Sequence, residues 1–262
     1  MGMKTVLVTG ATGTLGRRLL AQPDAARHRV RGISRRDGGG DGAPGAAEWM
    51  RADLVSGDGL DDAVKGVDVI VHAASDPGGD TWRTDVDGTT RLVASAQRAS
   101  VGHIIYTSIV GVDRVPVEYY RQKAAAEAIV QGSPVPWTII RGTQFHDFMD
   151  VLCAQMARFR IALVPARFQW QPIDVDEFAD AVWGCVADGP RGRVPDVGGP
   201  EILTFPEMVR TWMAAQGIEK RILRVPIPGR AAAALRRGAG TAPGRAVGRV
   251  TWAKWLREKY RR

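Results

Sequence analysis

Cysteine is nearly missing from this chain. Cys153 and Cys185 are the only two in 262 residues. They fall on separate expected helices without the short spacing of a metal or redox pair, which argues against a disulfide framework or a zinc site and leaves two reduced thiols packed as small apolar groups. Long apolar runs are missing too. None approaches the roughly 20 residues a membrane-spanning helix needs, and the first strand begins too near Met1 to leave room for a signal peptide. The expectation is a cytoplasmic protein without membrane or metal. Acidic residues are scarce at the C-terminal end, where Ile218 to Arg262 carries 13 Lys or Arg against only Glu219 and Glu258. The net charge of +8 therefore belongs to this tail. Such charge attracts anions in general, but no helix-turn-helix, zinc-finger or aromatic-basic RNA pattern accompanies it, which argues against nucleic acid. It reads as a solvated basic face, with a partner or substrate-steering surface as the alternative.

What is present is enough for a sizeable core: 45% of the residues are hydrophobic and 24% charged. That suits one large α/β domain, or one domain with a small lobe. The chain is organised around Gly10, Thr12, Gly13, Thr14, Leu15 and Gly16, which follow the apolar run Thr5–Val8 and open a helical pattern near Thr14. Strand, glycine turn and helix in that order make a phosphate cradle. Gly10 allows the tight turn, Gly13 lets backbone approach a pyrophosphate, Gly16 lets the helix pack closely on the sheet, and the first N–H groups of the helix face the anion.

Further strands are expected at 28–33, 48–54, 67–73, 103–108 and 135–141, with helices at 59–64 and 82–99 and one beginning near Glu118. Beyond residue 145 the alternation weakens. Helices are expected at 148–159, 176–187 and 206–215, extended segments at 168–173 and 194–197, a mobile stretch at 238–248, and a final helical face carrying Trp252, Trp255 and Leu256. The second strand ends at Ser34, Arg35 and Arg36, where an acid would select NAD and an arginine can pair with the 2′-phosphate of NADP. The glycine-rich 37–45 segment reads as a mobile flap beside the adenosine end. Ala73, Ala74 and Ser75 are small residues at a strand's carboxyl end, where an open sheet leaves a ligand crevice. Thr107 and Ser108 close strand five, and Arg141, Gly142 and Thr143 leave strand six toward the same edge. Alternating β and α units with right-handed crossovers collect these ends on one side.

The TGxxGxxG turn, together with TSIVG, YYRQK, PWTIIRGTQF and VGGPE, resembles the atypical and extended short-chain dehydrogenase/reductases, especially the NmrA-like branch, up to about Glu207. The resemblance implies a Rossmann-type doubly wound parallel sheet, with residues 1–150 as the NAD(P)-binding core and 151–262 completing that core and forming a small substrate lobe. It implies NADP(H) as cofactor and an aspartate, Asp53 beside Leu54, near the adenine amino group. Asp85 falls where relatives often have asparagine and receives no role. Tyr119 and Lys123 stand one helical turn apart. A phenol titrates near 10, and a nearby ammonium favours its ionised form. In the resembled family a YxxxK pair serves as acid/base and cofactor anchor. Ser108 is the candidate for orienting a substrate carbonyl, with Ile109 an alternative register and Thr107 a neighbouring substitute. Gln144, Phe145, His146, Phe148 and Trp170 are candidate pocket residues for a small-molecule substrate. The expected activity is NADPH-dependent reduction of a carbonyl or activated double bond. An NADP-binding sensor without turnover and a nucleotide-sugar epimerase or dehydratase are the alternatives.

Overall fold

Val6, Leu7 and Val8 are wholly buried, as expected for a strand covered on both faces. They form the centre of β1 (Thr5–Thr9). The computed structural model describes residues 2–39 and 48–261. Of the expected 37–45 flap, residues 40–45 lie outside that description, and Asp37–Gly39 forms a short 3-10 turn.

From β1 the chain passes through α1 (Thr14–Ala21), β2 (Arg29–Ser34), β3 (Glu48–Arg51), α2 (Leu60–Ala63), β4 (Val69–His72), α3 (Gly88–Arg98), β5 (His103–Ile109), α4 (Glu118–Gln131), β6 (Trp137–Gly142) and α5 (His146–Ala157). It continues through β7 (Ile161–Pro165), β8 (Gln169–Trp170), α6 (Val175–Asp188), β9 (Gly192–Arg193), β10 (Leu203–Thr204), α7 (Phe205–Ala215), β11 (Arg221–Val225), α8 (Arg230–Arg236) and α9 (Trp252–Lys259). Seven strands form one sheet in the order β3-β2-β1-β4-β5-β6-β9. β1 pairs in parallel with β2 on one side and with β4 on the other, Val6 facing both Val30 and Val69. The strand order therefore reverses between β1 and β4, the switch point at which open α/β sheets bind ligands.

The described chain divides into two compact units. The first comprises Met1–Ser108, Arg121–Ile140 and Ala179–Val194; the second comprises Ile109–Tyr120, Arg141–Phe178 and Pro195–Arg262. In the first, Leu7, Ile70 and Ile104 from the strands pack with Leu60, Leu92, Ala96, Ala126 and Val130 from the helices. The second has its own core of Met149, Cys153, Val164, Phe205, Met208, Trp212, Trp252 and Leu256. Its α7 starts at a capping box, in which Thr204 and Glu207 satisfy each other's backbone groups, with Pro206 in the first turn.

Two expectations are corrected, and one strand pair is new. Residues 194–197 form no strand; β9 lies two residues earlier, and Val197 makes only an isolated bridge to Gly142. The parallel pair β7 and β11 was not anticipated, because Arg221 and Arg224 break the apolar alternation by which a strand is recognised. The 238–248 stretch is tied down by long-range bonds. Buried Gln171 accepts from the Ala242 N–H at 2.7 Å and donates to the Gly199 carbonyl, and Gly198 donates to the Arg245 carbonyl.

Candidate dinucleotide and catalytic site

The glycine turn leaves β1 at the switch point. Gly10 has φ of +65°, and a Cβ there would lie 2.7 Å from the backbone of Ala74. Only glycine lets the two strand exits approach so closely. At Gly16 a Cβ would lie 2.6 Å from Ala11 Cα, so the start of α1 rests directly on the turn. Gly13 differs: its Cβ would meet only the Gly10 carbonyl, at 3.2 Å. It is also the N-cap of α1 and supplies no side-chain cap. A bare backbone in front of an uncapped helix start fits a pyrophosphate, which would take the N–H groups a capping side chain otherwise satisfies. Leu15 is buried, while Thr12 and Thr14 are exposed around the turn.

At the end of β2, Ser34 Oγ accepts from the Arg36 N–H, and Arg35 and Arg36 are exposed. Asp53 is half-buried and one of its oxygens accepts from the Val55 N–H at 2.8 Å. Leu54 has its side chain in the core. Ala73 is half-buried and Ala74 buried.

The β4 exit is joined to α4 through Asp85, a residue to which the sequence reading gave no role. Its carboxylate is wholly buried, accepts from Ser75 Oγ at 2.8 Å and the Asp76 N–H at 3.2 Å, and lies 3.3 Å from Lys123 Nζ. Lys123 also donates to the Thr107 carbonyl at 3.2 Å and sits 4.4 Å from the centre of the Tyr106 ring. Asp85 lies in a π-helical turn, Trp82–Asp87, leading into α3; such widened turns recur at functional sites. A sequence signal existed: Asp85 shares a helical face with buried Thr89, Leu92 and Ala96, an unusual place for a charge.

Two neutral groups flank the pair. His72 bonds Thr9 Oγ1 and Thr89 Oγ1 through its two ring nitrogens, and burial, helped by the Lys123 charge, holds its pKa down to about 3. The Tyr106 phenol is pushed well above its ordinary range by burial and by the carboxylates of Asp85 and Glu127. At the end of β5, Thr107 donates its hydroxyl to the His72 carbonyl, whereas the buried Ser108 hydroxyl has no partner among the described residues. Of the two, Ser108 keeps its hydroxyl available.

Tyr119 and Tyr120 belong to the second unit, although both share α4 with Lys123. Tyr119 is half-buried and meets the Tyr120 ring edge-on at 6.1 Å. The buried Tyr120 hydroxyl accepts from Gln144 Nε2 at 3.4 Å, and Gln144 also donates to the Gly240 carbonyl. The other expected site residues of this unit have the following neighbours. The Arg141 guanidinium pairs with Asp113 at 3.2 Å, Gly142 faces the Phe178 ring, and Thr143 Oγ1 accepts from the Gly199 N–H. Trp170 lies in the second core against Phe205, Phe145 tilts against Phe178, and Phe148 is exposed. His146 is wholly buried against Trp252 and Trp255, both ring nitrogens without a partner among the described residues, and burial lowers its pKa to about 3. Among the described residues no cluster of His, Cys, Asp or Glu is arranged to hold a metal, and no helix is long and apolar enough to cross a membrane.

Comparison with known proteins agrees with the turn. The profile of an NAD(P)H-binding family matches residues 10–152. A (4-alkanoyl-5-oxo-2,5-dihydrofuran-3-yl)methyl phosphate reductase of Streptomyces griseus is 31% identical over 212 residues, covering 77% of this chain and 70% of that protein. The chloroplastic divinyl chlorophyllide a 8-vinyl-reductase of Oryza sativa is 27% identical over 248 residues, 85% of this chain and 61% of the rice protein. A nucleoside-diphosphate-sugar epimerase structure from Staphylococcus aureus superposes with a TM-score of 0.79 at 18% identity, over 97% of this chain and 99% of that one. At that identity the likeness speaks for the fold alone. A glycine turn at the switch point of a parallel sheet, matched over more than half the chain, makes this protein a member of the NAD(P)H-binding family, as its resemblance to the NmrA-like short-chain dehydrogenase/reductases implied.

Proposed function

We propose that the protein uses NADPH to reduce a carbonyl or an activated double bond of a small to medium apolar substrate. The observation that carries this reading is the bare, uncapped helix start behind Gly13 at the β1–β4 switch point. The oxidoreductase class rests on the relatives, both named as reductases, one of them acting on a vinyl group. NADP over NAD follows from Arg35 and Arg36 at the end of β2, because a guanidinium pairs with a 2′-phosphate. Residues 1–150 would carry the dinucleotide and 151–262 would complete the core and line the substrate.

The bound cofactor would supply hydride. The chain's own part is binding and proton delivery. The α1 N–H groups hold the pyrophosphate, Lys123 anchors the ribose, Ser108 orients the reacting oxygen through its unpartnered hydroxyl, and Tyr119 donates the proton. Gln144, Phe145 and His146 would shape the pocket. The sensor reading is favoured by one observation: the Lys123 ammonium already faces Asp85, the Thr107 carbonyl and the Tyr106 ring, which reduces the charge it offers a phenol or a ribose.

The two readings part on turnover. NADPH oxidation should appear with members of a panel of quinones, enones and carbonyls, and Tyr119→Phe should keep NADPH binding while lowering the rate about 10²- to 10⁴-fold. Binding without oxidation of NADPH by any panel compound would favour the sensor. A rate that survives Tyr119→Phe would move the proton donor elsewhere.

A further inference from the structure

The parallel pair β7–β11 of the second unit is covered on one face only. Ala162 and Val164 point into the core beside Met208 and Trp212. On the other face the register sets Ile161 opposite Arg221 and Leu163 opposite Leu223. Ile161 is 43%, Leu163 49% and Leu223 54% exposed, and Phe159, just before the strand, is 57% exposed. A parallel pair is normally covered on both faces, and apolar side chains grouped in this way mark a contact surface.

Charge decides the occupant. Arg158, Arg160 and Arg221 are exposed around these side chains, the Arg158 guanidinium lying 4.4 Å from the centre of the Phe159 ring. A shallow recess of about 610 Å³ adjoins at Arg221, lined also by Arg210, Lys220, Met213, Ile218 and the one acid Glu219. No Asp or Glu occurs from Val151 to Ile173 or from Lys220 to Arg257. A second copy docked face to face would bring these arginines against themselves. An apolar face ringed by cations suits an anionic lipid surface, where aliphatic tips enter the acyl boundary and guanidiniums meet phosphates.

We propose that the outer face of β7–β11 seats the protein on an anionic bilayer surface. This is peripheral association, independent of the reaction proposed above and needing no spanning helix. The full chain should co-sediment with vesicles of equal parts phosphatidylcholine and phosphatidylglycerol, not with phosphatidylcholine alone, and salt should weaken it. Leu163→Ser with Leu223→Ser should abolish binding. Arg158→Gln with Arg160→Gln should lower it at least tenfold, taking about fivefold per cation near the surface. All four side chains are exposed, and unchanged melting would show that each variant is folded. No binding to the mixed vesicles, or binding unchanged in the folded leucine variant, overturns the proposal. A dimer in light scattering that the leucine variant returns to monomer would assign the face to a second copy. Binding to immobilised polyglutamate but not to vesicles would assign it to an acidic protein.

Discussion

Lys123 and Asp85 bring opposite charges into the interior of the first unit, at 4% and 0% side-chain exposure. Neither charge is replaceable alone, because removing one partner leaves the other buried without compensation, a loss of about 3 to 5 kcal/mol, whereas removing both can be nearly neutral. Asp85→Asn and Lys123→Met should therefore each destabilise strongly, and the double variant should be more stable than either, a coupling that a cycle of urea midpoints measures directly. Additive losses would show that the two charges do not act as a pair. Gly13 and Gly10 offer a different contrast. A Cβ at Gly13 meets one carbonyl at 3.2 Å, which a shift of a few tenths of an ångström relieves, while any side chain at Gly10 is strained by φ and by the Ala74 backbone. Gly13→Val is expected to keep its melting transition and lose NADPH binding by fluorescence titration, and Gly10→Val to lose both. A folded Gly13→Val protein with unaltered affinity would remove the pyrophosphate from this turn. The turn was legible in the sequence because its requirement is local backbone freedom. For Asp85 only the odd charge on an apolar helical face was legible; its partner Lys123 lies on another helix.

Helix α9 shows how an element with a weak claim to independent stability is held. Its eight residues are too few to persist alone in water, but Trp252 and Leu256 are wholly buried, as their shared face suggested. The anchor is Asp150 on α5, whose carboxylate accepts from Trp212 Nε1 at 2.6 Å, the Tyr260 hydroxyl at 2.7 Å and Lys259 Nζ at 2.8 Å. Burial and this carboxylate push the Tyr260 phenol up to about 12. Asp150→Ala leaves the Trp212 N–H without a partner and releases both C-terminal groups, a cost on the order of 3 kcal/mol. The expected result is a lowered urea midpoint with faster tryptic cleavage after Lys254 or Arg257. Cleavage at the unmodified rate would mean that apolar packing alone holds α9. The helix itself was readable from its period, but the carboxylate that fastens it was not.

Across the whole molecule three buried histidines couple stability to acidity. Burial lowers the pKa of His72 and His146 to about 3 and of His103 to about 4, with Lys123 adding to the first and Lys4 to the last. An unfolded histidine takes its proton near 6.5. Between that value and the folded pKa the unfolded state binds more protons, so stability falls as pH falls, by about 1.4 kcal/mol per pH unit for each fully shifted group. Urea midpoints should be level above about pH 7 and decline on acidification below about 6.5. His146→Phe, which removes two unpartnered ring nitrogens, should shallow the decline without lowering stability at neutral pH. A midpoint that stays level to about pH 5 would contradict the buried neutral state of these rings. What the sequence determined by itself were features with a local cause: the glycine turn, the buried runs of β1 and β4, and the helical periods of α6 and α9. Only the tertiary structure decided which distant groups meet, including Asp85 with Lys123, Asp150 with Trp212 and Tyr260, and Gln171 with the glycine-rich stretch beyond α8. Local periods reflect backbone geometry and burial; partners far apart in the chain are selected when the packed elements bring their polar atoms within hydrogen-bonding distance.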